Sequence, residues 1–198
     1  STKMKRNAHL IGSLCMPNAK MAMTTVADFL DDCCTRIPDG ETGERDYWIR
    51  WQQSTFDKCQ DLELGISQQT IPGYKDKINR PLYKIKGGVD HTLLDFGNLG
   101  YADEAIKSFK IFKELKTKKI IKKHIKFQVS IPTPMALVIG FVVKSDQLKV
   151  EPAIVSAMKN DLAKLQSSIP PHELAIQFDV CSEVIGYDGG AEKYYGVK

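Results

Sequence analysis

The sequence predicts an α/β fold in which helical crossovers connect the strands of a parallel sheet. Short apolar segments of strand length alternate along the chain with amphipathic segments of helix length, and this alternation is typical of parallel strands joined by right-handed crossovers. The composition agrees, because 198 residues with 42% hydrophobic and 26% charged side chains suffice for one globular domain with a core. We therefore expect a single domain over 1–198.

The individual elements follow from the local hydrophobic pattern. The apolar run at 9–14 predicts a buried strand, and the next segments predict a helix at 24–34 and an acidic loop at 37–48. A helix rich in aromatic residues follows this loop, and 65–86 is expected to be a loop with an extended excursion. The later predictions are a basic helix at 101–119, a strand from 127 that enters a proline-bounded loop by 135, a helix at 153–168 led by Glu151 and Pro152, a strand at 174–180 and a loop-like tail at 187–198.

Polar side chains follow several of these predicted strands. The loop at 37–48 is the richest case, with four acids, one arginine and two glycines before an aromatic anchor. Chemistry in parallel α/β folds lies at the C-terminal ends of strands, and carboxylates with an arginine could hold an ammonium or a carboxylate in fixed geometry. An acidic turn that caps a helix beginning near Glu44 is the alternative. The predicted binding residues are Ser13, Asp39, Glu41, Arg45, Thr133 and Asp179.

Four segments together resemble the superfamily of uroporphyrinogen decarboxylase and cobalamin-independent methionine synthase. They are His9-Leu-Ile-Gly-Ser13, Ile37-Pro-Asp-Gly-Glu-Thr-Gly-Glu-Arg45, Ile131-Pro-Thr-Pro134 and Ile176-Gln-Phe-Asp-Val180. The similarity covers nearly the whole chain and is greatest to the poorly characterised methionine-synthase-like group. It implies a (β/α)8 TIM barrel.

Chain length makes this expectation more specific. A barrel of eight units takes about 250 residues, and only about five of the eight strands are predicted here. We therefore expect a partial TIM barrel, the N-terminal part of the fold, with parallel strands and crossover helices. An open strand edge is a template for association, so a homo-oligomer or a complementary barrel half is the expected protein partner.

The resemblance also implies roles for the motifs. In the synthases, the serine matched by Ser13 contacts the carboxylate of the substrate amino acid, and the Gly-Glu matched by Gly40 and Glu41, with Arg45 and Trp48, places a carboxylate near its ammonium. The aspartate matched by Asp179 supplies a second carboxylate. A small amino-acid-like or thiol substrate and one-carbon (methyl) transfer by the complete protein are therefore implied.

Two other functions stay open. In a metal-free lyase or decarboxylase of the same superfamily, Asp39, Glu41, Arg45 and Asp179 would do acid–base or ion-pair work on a biosynthetic intermediate. In a non-catalytic half-barrel that pairs with another subunit, the same residues would be a relic or a ligand sensor.

The sequence lacks the zinc ligands of the resembled family and offers one candidate thiol. The family holds zinc with a His-x-Cys, a glutamate and a further cysteine downstream of the aspartate strand, and the segment after Asp179 has no such set. We therefore expect no metal or cofactor within this chain, and zinc only if the missing half is present.

Cys15, two residues beyond Ser13, is a further candidate as nucleophile or substrate contact, with packing under the loop as the alternative. Trp48 is a weaker candidate, since helix packing is its commoner role.

Composition excludes several classes of partner. No apolar run approaches the roughly 18 residues of a membrane span, and five cysteines without framework spacing indicate reduced thiols, so a cytoplasmic protein is expected.

Nine lysines lie within 107–126. Apolar residues recur at helical spacing on the same stretch, which makes the lysines the solvated face of a helix and argues against nucleic-acid binding.

Overall fold

The computed structural model of the protein describes residues 7–30, 32–69, 75 and 77–187. These residues form a mixed α/β fold. The helices are α1 (Ala19–Leu30), α2 (Gln53–Lys58), α3 (Tyr101–Thr117), α4 (Pro134–Phe141), α5 (Gln147–Ser168) and α6 (Ser182–Tyr187), and the strands are β1 (Arg36–Pro38), β2 (Leu62–Ile66), β3 (Leu82–Ile85), β4 (Lys126–Pro132) and β5 (Leu174–Asp179). No helix of the described part is long and apolar enough to cross a bilayer.

The chain divides into two compact units, each built from three segments. The first unit comprises Ser1–Trp48, Gly100–Ile131 and Asp161–Phe178, and the second comprises Ile49–Leu99, Pro132–Asn160 and Asp179–Lys198.

A three-stranded parallel sheet has the order β1-β4-β5. β1 pairs with β4 in parallel, so that Ile37 lies opposite Phe127. A single parallel bridge between Ser13 and Gly40 extends the sheet beyond β1, with a hydrogen bond of 2.9 Å from the Leu14 N–H to the Gly40 carbonyl. The prediction of an α/β fold with a parallel sheet is thus confirmed.

The core of the first unit lies between this sheet and α3. The rings of Phe109 and Phe112 from α3 and of Phe127 from β4 have centroids 5.4 to 6.1 Å apart. The lysines of α3 lie outside this apolar face, as predicted for an amphipathic helix.

Asp161 of α5 fixes where α3 begins. Its Oδ2 accepts hydrogen bonds from the Tyr101 N–H at 2.8 Å and the Ala102 N–H at 3.2 Å, two of the donors that the first turn of a helix leaves without a partner. Burial raises the pKa of the Asp161 carboxyl above its ordinary value, although both N–H donors favour the charged form.

The second unit contains an antiparallel pair, β2 and β3, in which Leu62 lies opposite Ile85. Its aromatic core centres on Phe56, whose ring centroid is 4.7 Å from that of Phe141 and 5.0 Å from that of Phe96. Tyr83 of β3 packs there as well and donates a hydrogen bond to Asp57. Its burial, together with that bond, raises the pKa of the Tyr83 phenol.

The structure differs from one strand prediction and one loop prediction. Segment 9–14 is not a buried strand: Ile11 is 74% exposed, and within the segment only Ser13 forms a strand-like bridge. The carbonyls of Leu10 and Ile11 instead accept hydrogen bonds from side chains of the sheet. The segment 65–86, predicted as a loop with an extended excursion, contains the end of β2 and all of β3, and its residues 70–74 and 76 lie outside the described residues. Of the five strands in the described part of the chain, three are in the parallel sheet and two form the antiparallel pair.

Several helix bounds also differ from prediction. α1 covers Ala19–Leu30, earlier than the predicted 24–34, and the expected aromatic helix is a set of turns leading into α2. α5 begins at Gln147, so Pro152 lies inside it and not at its start. Tyr187 ends α6, and the rest of the predicted tail, 188–198, lies outside the described residues.

Candidate functional site

Asp39 anchors the loop that follows β1. Its side chain is buried, with the residue 6% exposed. Oδ2 accepts hydrogen bonds from Arg45 Nη2 and from Ser108 Oγ, both at 2.6 Å, while Oδ1 accepts from the backbone N–H of Glu41 at 2.9 Å. Both carboxylate oxygens are thus engaged within the protein, and Asp39 holds the loop against α3.

Arg45 completes this anchor. It extends from a single 3-10 turn, Gly43–Arg45, and its side chain is only 16% exposed where it meets Asp39. A charge-assisted pair of this kind is stronger than a hydrogen bond between neutral groups. Arg45 therefore neutralises the buried Asp39 charge and fixes the path of the loop between them.

Glu41 is presented by this anchored loop in an unusual backbone conformation. Its φ is +48°, in the left-handed region that residues other than glycine seldom adopt. The half-buried Glu41 directs Oε2 to the exposed Ser13, whose Oγ donates a hydrogen bond to it at 3.2 Å. Two predicted binding residues from separate segments thus meet at the C-terminal side of β1.

Two glycines make this geometry accessible. A Cβ at Gly12 would lie 2.2 Å from Glu41 Oε1, so only glycine leaves room for the carboxylate. Gly40 has a φ of +85°, and a Cβ there would lie 2.8 Å from the Cβ of Ala22 on α1. Glycine is therefore needed at both positions, for space at Gly12 and for both conformation and space at Gly40.

Two cavities adjoin the Ser13–Glu41 pair. A small one, of about 10 Å³, lies beneath the loop and is lined by Pro38, Asp39, Glu41, Arg45, Tyr101, Ala105, Phe127, Gln128, Val129 and Ser130. A larger one, of about 510 Å³, is lined by Ser13, Leu14, Cys15, Met16, Pro17, Asp46 and Tyr47. The larger volume is within the range of small-molecule sites. Cys15, an exposed free thiol, lies on its wall.

The remaining predicted residues have other surroundings. Thr133 caps α4, where its Oγ1 accepts from the Ala136 N–H at 3.4 Å, and Asp179 ends β5. Both are grouped with the second unit. Trp48 is half-buried in a turn with a φ of +53°. The structure therefore brings together Ser13, Asp39, Glu41 and Arg45 of the predicted set, with Cys15 near Ser13.

Sequence reasoning missed three residues that shape this region: Ser108, Gln128 and Ser130. Ser108 lies on the buried face of α3 and binds Asp39. Gln128 and Ser130 lie in β4, and both donate to the carbonyl of Ile11. The sequence signal was a glutamine between Phe127 and Val129 in a predicted strand, because a buried side-chain amide normally has a hydrogen-bond partner.

The residues present do not fit the zinc of the resembled family. Among the described residues, no group of three or more His, Cys, Asp or Glu side chains is arranged to hold a metal ion, and a catalytic zinc site needs three protein ligands. No step of the function is therefore derived through zinc.

Comparisons with protein-family models, with curated proteins and with solved structures find no match to this chain. The geometry of the site and the residues of its motifs therefore carry the functional inference.

Proposed function

We propose that the loop after β1 binds a small amino-acid-like ligand through its ammonium group. The observation that carries the proposal is the Ser13–Glu41 pair, in which an exposed hydroxyl and a half-buried carboxylate meet at 3.2 Å. Asp39 and Arg45 pair with each other at 2.6 Å, and Glu41 presents a further carboxylate beside Ser13. A carboxylate in a fixed geometry suits a cationic group.

Ser13 supplies the second contact for such a ligand. Its hydroxyl donates to Glu41 in the free protein, but a hydroxyl rotates to suit its partners. When an ammonium takes the Glu41 carboxylate, the Ser13 hydroxyl can turn and donate to the ligand carboxylate. The cavity of about 510 Å³ beside Ser13, with Leu14, Met16 and Pro17 on its wall, would receive an apolar or sulfur-containing side chain.

One-carbon transfer is the reaction that the family resemblance suggests for this ligand in a more complete protein. In this proposal the residues of this chain bind and orient the ligand. A metal-free acid–base reaction is less well supported, because Asp39 and Arg45 are already hydrogen-bonded to each other and Asp39 is buried. A partial (β/α)8 barrel remains the proposed architecture, supported by a parallel sheet in which β1, β4 and β5 lie in the order of the chain, although β2 and β3 intervene between β1 and β4. A homo-oligomer or complementary barrel half remains the proposed partner.

Calorimetric titration with L-methionine and two analogues tests the proposal. One analogue lacks the amino group and the other lacks the carboxylate. We expect methionine to bind, the analogue without the amino group to bind much more weakly, and Glu41→Gln to weaken methionine binding by about 1–3 kcal/mol, as is usual for a lost charge-assisted hydrogen bond. The exposed neighbour Glu44 gives the matched control, since Glu44→Gln makes the same charge change away from Ser13. Equal binding of methionine and its deaminated analogue would contradict the proposal.

A further inference from the structure

The segment that connects α3 to β4 carries lysines that differ from those of the helix itself. Within α3, Lys113 and Lys116 both pair with Glu173, at 3.1 and 3.3 Å. We call residues 118–126, which follow the helix and end on the first residue of β4, the basic turn. Its five lysines are all exposed, and they are Lys118, Lys119, Lys122, Lys123 and Lys126.

Most lysines of the basic turn have no acidic partner. Lys122 pairs with Asp32 at 2.7 Å, but the Asp32 side chain is 90% exposed, and a pair of this kind contributes little. In the part of the chain that the structure describes, the other four lysines form no ion pair. Four positive charges therefore lie close together on a short exposed segment.

The basic turn is anchored and does not depend on its lysines for its shape. Ile121 and Ile125 are each 1% exposed, and the N–H groups of Ile120 and Ile121 donate to the Leu115 carbonyl at 2.9 and 3.3 Å. Lys119 has a φ of +61°, a left-handed conformation that glycine usually adopts at the end of a helix. Ile120 is 37% exposed among the lysines, so the turn presents positive charge around one apolar side chain.

The basic turn lies at the end of the parallel sheet opposite the candidate site. Lys126 begins β4 and is the register partner of Arg36, the first residue of β1. Ser13 and Glu41, in contrast, meet at the C-terminal side of β1. A partner that contacts the turn therefore leaves the site open.

We propose that the basic turn is a docking surface for an anionic phospholipid bilayer. Lysines close to a negatively charged leaflet are attracted to it, and an apolar side chain among them can enter the boundary between headgroups and acyl chains, which is the place for Ile120. Nucleic acid suits the turn less well, because residues 118–126 contain no arginine to read base edges and no Phe, Tyr or Trp on which bases stack. The inference is independent of the proposed ligand of the Ser13–Glu41 pair.

Cosedimentation of the full chain with lipid vesicles tests the docking surface. One set of vesicles contains phosphatidylcholine alone, and the other contains phosphatidylcholine with phosphatidylserine. We expect binding only to the vesicles with phosphatidylserine, and weaker binding as the ionic strength rises, because salt screens exposed charges. Equal binding to both sets, or binding to neither, would overturn the proposal.

Lysine variants locate the surface. Lys118→Gln with Lys119→Gln is expected to weaken vesicle binding by about 25-fold, from about fivefold for each lysine. The matched control is Lys20→Gln with Lys159→Gln, because both lysines are exposed on helices outside the turn and the change in net charge is the same. An equal loss in the control pair would overturn the proposal, since net charge and not the basic turn would then govern binding.

Two further variants separate docking from folding and from charge attraction alone. Lys119→Gly should weaken vesicle binding by about fivefold without lowering the melting temperature, because glycine adopts a positive φ without strain. Full binding by Lys119→Gly would contradict the role of the turn. Ile120→Gln keeps every charge, so it should weaken binding to vesicles but not to single-stranded RNA. Unchanged vesicle binding by Ile120→Gln, or wild-type affinity for RNA that equals its affinity for the anionic vesicles, would assign the turn to polyanions in general and overturn the bilayer as its partner.

Discussion

At the scale of single residues, the backbone of Glu41 determines what this loop can bind. A residue with a side chain at a positive φ costs of the order of 1–3 kcal/mol, and such residues persist where surrounding contacts enforce them. Here the enforcing contact is the 2.9 Å bond from the Glu41 N–H to Asp39 Oδ1. The buried Asp39 thus acts at a distance from any ligand, because it holds the carboxylate of Glu41 beside Ser13.

Gly12 offers a test of that carboxylate position. In Gly12→Ala the new Cβ would lie 2.2 Å from Glu41 Oε1, and the flexible glutamate side chain must move away from it. We expect methionine affinity to fall by about tenfold, or about 1.4 kcal/mol, with little change in the melting temperature. Calorimetry and thermal unfolding measure the two effects. Gly87→Ala is the control, since its Cβ would meet nothing within 4 Å, and unchanged affinity in Gly12→Ala would show that the carboxylate position is not what binds.

For single residues, the sequence predicted which side chains come together better than it predicted which way each side chain faces. Ser13 and Glu41 were predicted to converge from their places after apolar segments, and they do so. Asp39 was expected to face a ligand but is turned inward, because its partner Ser108 comes from a helix 69 residues further along the chain. A partner so distant in sequence leaves no local pattern from which to infer it.

At the scale of elements, the apolar runs predicted both β4 and β5. Five of the seven residues of β4 are buried, whereas those of β5 are mostly half-buried. β2 and β3 were missed because only Leu62 of β2 is buried, so the period of two that marks a half-buried strand is absent. Segment 9–14 has the opposite problem. It is apolar enough for a strand, yet side-chain donors from Gln128, Ser130 and Gln177 take the carbonyl of Ile11, which a strand would use in its ladder.

The contact between the site loop and α1 gives the prediction at this scale. Gly40→Ala introduces both left-handed strain, about 1–2 kcal/mol, and a contact of 2.8 Å with the Ala22 Cβ. Gly88→Ala is a matched control, because Gly88 has a φ of +81° but its Cβ would meet nothing within 4 Å. Urea unfolding should show a clearly larger loss of unfolding free energy for Gly40→Ala. Equal losses would mean that α1 yields to the added methyl group.

At the scale of the whole molecule, charge is distributed unevenly. The net charge is +4, and lysines of α3 contribute to the surface excess. Two of them are also structural, since Lys113 and Lys116 donate to the two oxygens of Glu173 at 3.1 and 3.3 Å. Burial opposes ionisation of Glu173, which is 7% exposed, but the two lysines together outweigh burial and hold the pKa of that carboxyl below its ordinary value.

This lowered pKa predicts how acid destabilises the protein. A carboxyl whose pKa is lower in the folded state stabilises it above the unfolded pKa, near 4.5 for a glutamate, and the stabilisation is lost as pH falls through the folded pKa. Glu173→Gln should therefore reduce the unfolding free energy at pH 7 by about 1–3 kcal/mol, and the gap from wild type should close as pH falls below about 4.5. Asp161, whose pKa is raised, acts in the opposite direction but equally in both proteins, so it cancels in the difference.

Urea unfolding of wild type and Glu173→Gln at several pH values between about 3 and 7 measures this gap. Glu114→Gln provides the control, because Glu114 is an exposed acid on α3, the helix that carries Lys113 and Lys116, and its removal makes the same charge change. Its gap from wild type should stay small at every pH. A Glu173→Gln gap that is constant with pH would mean that the lysine contacts contribute through packing and not through the charge of Glu173, since only a change in protonation between folded and unfolded states produces a pH-dependent difference.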